Sequence, residues 1–236
     1  CMSRPRPQKT SAIEATIEHL AAAIPLEKPL LRGVSHQAAF FAAFPLAYWL
    51  VSLAQTDEAR TCALVYGIAL IALFGVSALY HRKHWQPGPR AFLKRLDHSN
   101  IFLFIAGNYT PITILGVGGS FGKLLCSVLW IGAAAGVLQT VFWPSAPRVL
   151  HVGIYVVLGW IGGLGLPGEW RHLGPQVVAL HVGGGILYTL GALTYAKKTP
   201  NPFPRVFGYH EIFHLLVIIA CGALFEVVRK CLLLPA

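Results

Sequence analysis

The chain has 236 residues, of which 55% are hydrophobic and 12% charged, with a formal net charge of +10. Its mean hydropathy of +0.60 excludes an ordinary soluble domain and points to a polytopic membrane protein. The positive charge does not indicate nucleic acid, because the Lys and Arg residues sit in short loops between apolar runs, where they orient helices in a bilayer.

Residues 1–33 read as an N-terminal segment. Its basic start, Ser3 to Lys9, leads into an amphipathic stretch and not into the apolar core of a signal peptide. Ser11-Ala-Ile-Glu14 reads as a capping box, Ile13, Ile17, Leu20 and Ile24 recur at helical spacing, and Pro25 stops the run. This predicts a short helix lying on the membrane face or docked on the bundle. Residues 34–236 follow as one all-α bundle of seven transmembrane helices. The apolar runs are Val34–Ala54, Thr61–His81, Leu96–Val117, Phe121–Trp143, Val149–Leu166, Pro175–Ala196 and Val206–Val228. Each is near the ~20 residues that a spanning helix needs. The connections carry Gly and Pro, as in Gln86-Pro-Gly-Pro-Arg90, Leu166-Pro-Gly-Glu169 and Thr199-Pro-Asn-Pro-Phe-Pro204. The five cysteines are scattered without a CxxC, so no disulfide framework is expected.

Charge sets the expected orientation. One side of the bundle carries Arg4, Arg6, Lys9, Lys28, Arg32, Arg82, Lys83, Arg90, Lys94, Arg95, Arg148, Lys197, Lys198 and Arg205. The other carries Arg60, Lys123, Arg171, Arg229 and Lys230. The positive-inside rule then puts the N-terminus in the cytoplasm and the C-terminus outside.

Ionisable side chains cluster at the same expected edge. Ser77 and His81 end the second run, Asp97 begins the third, and His210 and His214 begin the seventh. Alone, each has a plain reading: Asp97 as a helix-start charge, Ser77 as a hydroxyl bonded back to a carbonyl, His81 as an interfacial side chain. Together, three imidazoles and a carboxylate suit a zinc ion with an open position. The i,i+4 spacing of His210 and His214 puts both on one helix face, and Asn100 follows Asp97 at i+3. His210-Glu211-Ile-Phe-His214 also satisfies H-E-x-x-H, in which Glu211 would be the general base of a peptidase. That reading is the weaker one, because the motif opens the last span and Asp97 stands in Leu-Asp-His. Asn108, Tyr109 and Thr110 precede Pro111, where they either line a polar cavity or satisfy backbone freed by the proline. His181, midway along the sixth run, reads as facing that cavity or as a hydrogen-bonded core residue. His19, His36, His84, His98, His151 and His172 are given no metal role.

Ser77-Ala-Leu-Tyr-His81, the run from Leu96 to Ile112 (LDHSNIFLFIAGNYTPI) and His210-Glu-Ile-Phe-His214, with Lys28 to His36 (KPLLRGVSH), resemble the hemolysin III proteins. These are the bacterial branch of the progestin and adipoQ receptor family. The resemblance covers nearly the whole chain. It implies zinc on His81, His210 and His214, Asp97 near the fourth position holding a water, Ser77 close by, and seven spans with a cytoplasmic N-terminus. The bacterial branch is linked to membrane lipid homeostasis, some members being named for haemolytic activity, and the receptor branch to ceramide hydrolysis. The expectation is therefore a multi-pass cell-membrane protein that hydrolyses a lipid amide at zinc, with Asp97 and Ser77 catalytic and membrane lipids as partners. A membrane-state sensor with structural zinc and a pore-forming hemolysin are the alternatives. Gly159-x-x-x-Gly163 is compatible with close packing inside one chain and does not establish a homo-oligomer.

Overall fold

The computed structural model describes residues 28–235, so the expected N-terminal helix lies outside the described residues. The helices are α1 (Val34–Leu53), α2 (Asp57–Arg82), α3 (Pro87–Pro111), α4 (Gly119–Phe142), α5 (Arg148–Gly162), α6 (Leu166–Leu173), α7 (Pro175–Lys197) and α8 (Tyr209–Leu232). A π-helical turn, Ile112–Val117, prolongs α3, and one 3-10 turn, Gly163–Gly165, joins α5 to α6. With α5 and α6 counted as one span, seven helices among the described residues are long and apolar enough to cross a membrane. Large apolar side chains such as Phe41, Trp49, Ile68, Ile131, Val157 and Ile219 lie exposed on the outside of the bundle, as lipid-facing surfaces require.

Three boundaries differ from the sequence reading. The second helix begins at Asp57, four residues before Thr61, because the Thr56 hydroxyl accepts the Ala59 N–H at 3.1 Å and caps the helix. The third begins at Pro87, inside the stretch read as a loop, since a proline in the first turn forfeits no helical hydrogen bond. Leu166-Pro-Gly-Glu169, also read as a loop, opens α6 for the same reason and carries Glu169 into the interior.

Successive helices pack side by side, and α8 returns to contact α1, α2 and α3, which closes the ring. The third span is the most buried and runs through the middle. Around Pro111, Thr110 donates to Ala106 O at 2.9 Å and Thr113 to Tyr109 O at 2.8 Å. The threonines thus serve the backbone near the proline, while Asn108 and Tyr109 border the cavity. Among the described residues, Cys62, Cys126, Cys221 and Cys231 form no disulfide.

At the basic end the chain before α1 is tied down. The Leu30 and Leu31 N–H groups donate to Arg205 O and Val206 O, at 3.0 and 3.2 Å. Arg32 pairs with Glu211. Gly33 has φ +77°, and a Cβ there would sit 2.7 Å from the Cβ of His81. Glycine alone meets both demands, which lets the chain turn into α1 directly against α2.

Candidate metal centre

His81 reaches the site from the last turn of α2, and His210 and His214 from the first turns of α8. The helix start is set by Glu211, whose Oε2 accepts the Gly208 N–H at 2.8 Å. That bond and the pairing with Arg32 occupy both carboxylate oxygens of Glu211, which leaves the H-E-x-x-H reading without its free base.

The three histidines are buried, and each offers a ring nitrogen within 4.8 Å of the other two. His81 Nε2 and His210 Nε2 are 3.2 Å apart. Two nitrogens bound to one tetrahedral zinc at about 2.0–2.1 Å stand about 3.3 Å apart, so the observed separation fits a shared ion. The donor set of three imidazoles, each able to bind in its neutral form, fits zinc as well. Asp97 Oδ2 lies 3.6 Å from His81 Nε2, beside the cluster. By spacing, Asn100 shares the Asp97 face, yet its amide donates to Ala72 O at 3.2 Å and joins α3 to α2.

Sequence reasoning missed His36. Its ring stacks on His214 with centroids 3.7 Å apart and planes 10° from parallel. Its Nδ1 is 2.8 Å from Ser77 Oγ. His214 Nδ1 is buried without a hydrogen-bond partner among the described residues, and stacking on His36 packs one face of that ring. The available signal was position, because His36 enters α1 at the same basic end as the other histidines.

His81, Asp97, His210 and His214 border a cavity of about 1980 Å³. Its mouth gathers Lys28, Arg32, Arg82, Lys83, Arg90, Lys94, Arg148 and Arg205, and its walls include Leu73, Phe104, Ile105, Val217 and Leu224. At the mouth, partial burial and then Arg32, Arg82 and Arg90 hold the Lys28 amine below its ordinary pKa. His181 lies in the same cavity, farther in, with its Nδ1 2.7 Å from Glu169 Oε2 and its Nε2 2.9 Å from the Tyr109 hydroxyl.

The chain matches, over residues 25–225, the model of a family described as Haemolysin-III related. It is similar to Hemolysin-3 of Bacillus cereus, 27% identical over 203 residues that cover 85% of this chain and 90% of that protein. A Hemolysin-3 homolog of Bacillus subtilis (strain 168) is 25% identical, with 85% of this chain and 92% of the relative covered. The human monocyte to macrophage differentiation factor is 27% identical over 180 residues, 73% of this chain and 71% of that one.

Proposed function

The chain belongs to the haemolysin-III-related family of multi-pass membrane proteins, and on that footing we propose that it is a zinc-dependent hydrolase of lipid amides with a role in membrane lipid homeostasis. The observation that carries this reading is the convergence of the His81, His210 and His214 nitrogens on the wall of a lipid-sized cavity. The ring of Lys and Arg around its mouth supports a cytoplasmic location for that end.

Zinc on the three histidines would supply Lewis-acid polarisation of a carbonyl and acidification of water. The remaining steps fall to the chain itself. Asp97, beside His81, takes a proton from the attacking water and returns it to the departing amine as the C–N bond breaks. Ser77 keeps a hydroxyl at the same wall. If it accepts from His36 Nδ1–H, its own proton is free to donate to the carbonyl oxygen. The acyl chain occupies the apolar interior between Leu73, Phe104 and Val217. A cluster opening into a cavity supports an open site over a closed structural one, because structural zinc sites fill all four positions with protein ligands.

The test is turnover of a long-chain lipid amide by the purified, zinc-loaded protein, with Asp97→Asn beside it. Release of amine by the wild type, lost in Asp97→Asn with zinc retained, is expected. Equal turnover by the two proteins, or none by either, would contradict the reading.

A further inference from the structure

The cavity continues well past the histidines. Its inner end is bounded by Asn108 and Tyr109 of α3, Gly159 and Trp160 of α5, and His181 and Thr189 of α7. All but one of the polar side chains in this group are paired within the fold. The Tyr109 hydroxyl lies 2.7 Å from Gly159 O and 2.9 Å from His181 Nε2. The other His181 nitrogen is held by Glu169 at 2.7 Å. Trp160 donates to Thr189 Oγ1, which donates to Gly185 O. Asn108 is the exception. It is only 2% exposed, and its Oδ1 is buried without a partner among the described residues. A buried carboxamide left unpaired is costly, and because its oxygen and nitrogen exchange places by a flip of the amide, Asn108 can turn either one to a partner in the cavity it borders.

We propose that Asn108 is the recognition residue of a second subsite, which accepts a neutral hydrogen-bonding group, a hydroxyl or an amide, carried within the chain of the bound lipid. This rests on the reading of the cavity as a lipid site. Asn108 lies eleven residues beyond Asp97 on one helix, about 16 Å at the α-helical rise. A chain anchored at the histidines would bring roughly its twelfth carbon to Asn108 at ordinary C–C bond lengths. The group is neutral because Asn108 has no charge to offer, and an unpaired ion at this depth is costly. The inner wall is also rigid. Glu169 fixes His181, His181 fixes Tyr109, and the Tyr109 ring lies over Gly162, where a Cβ would come within 2.1 Å of it. Recognition is therefore tuned to one depth along the chain.

The test is isothermal titration of the purified protein in detergent micelles with three lipid amides of equal length. One is plain, one carries a hydroxyl at about the twelfth carbon, and one carries it at about half that distance. The wild type should bind the first hydroxylated probe about tenfold more tightly than the plain one, as one added hydrogen bond provides. It should show no such gain with the second. Asn108→Leu should erase the preference, so that the three probes bind it equally. The comparison of hydroxyl positions needs only the wild type, so it stands even where that variant fails to fold. Equal binding of the three probes would overturn the subsite, with Asn108 satisfied by water, and leave the lipid reading intact. Failure to bind any probe would overturn both.

Discussion

Gly33→Ala tests how the approach to α1 fixes His81, a histidine of the proposed metal site. Gly33 sits at φ +77°, and its added Cβ would meet His81 Cβ at 2.7 Å and the His81 carbonyl carbon at 3.4 Å. The left-handed conformation costs an L-residue about 1–2 kcal/mol. Overpacking adds about 1–3 kcal/mol, because a Cβ cannot swing aside as the end of a side chain can. The sum is about 2–5 kcal/mol if nothing moves. Movement would relieve it by pushing α2 away, and His81 with it. Since His81 Nε2 stands 3.2 Å from His210 Nε2, such a shift spoils a shared ion, and zinc affinity should fall about tenfold or more, as for other changes that disturb ligand orientation. Thermal unfolding in detergent and zinc competition against a chelator read the two effects. Gly88→Ala is the control, because nothing lies within 4 Å of its added Cβ. A Gly33→Ala protein with wild-type unfolding temperature and wild-type zinc affinity would refute the reasoning.

Two further predictions concern the carboxylates. Glu169→Ala should destabilise the protein by about 1–3 kcal/mol, because it strips a buried partner from His181. Tyr109→Phe added to it should cost less than it does alone, since both act on one network; strict additivity in thermal unfolding would contradict this. Glu211→Gln should keep zinc and lipid turnover while losing about 1 kcal/mol from its contacts with Arg32 and Gly208. Loss of turnover with zinc retained would return Glu211 to the chemistry as a base.

Much of the fold was legible because hydropathy is a local signal. The seven spans lie near their expected positions, and His81, His210 and His214 come together in space with Asp97 beside His81, while Ser77 pairs with His36. Two kinds of feature were not legible. Prolines that open a helix read as loop, which shortened α3 at Pro87 and hid Glu169 in a connection. Partners on distant helices leave no spacing to find. His36 reaches Ser77 and His214, and His181 reaches Glu169 and Tyr109, only through the way the helices pack.

The most direct test of the account is the zinc content of the freshly purified protein, with His210→Ala and Asp97→Ala beside the wild type. About one zinc per chain, lost in His210→Ala and largely kept in Asp97→Ala, is the predicted result for three histidine ligands with the carboxylate beside them. A folded wild type without zinc, or a His210→Ala protein that keeps it, would contradict the account.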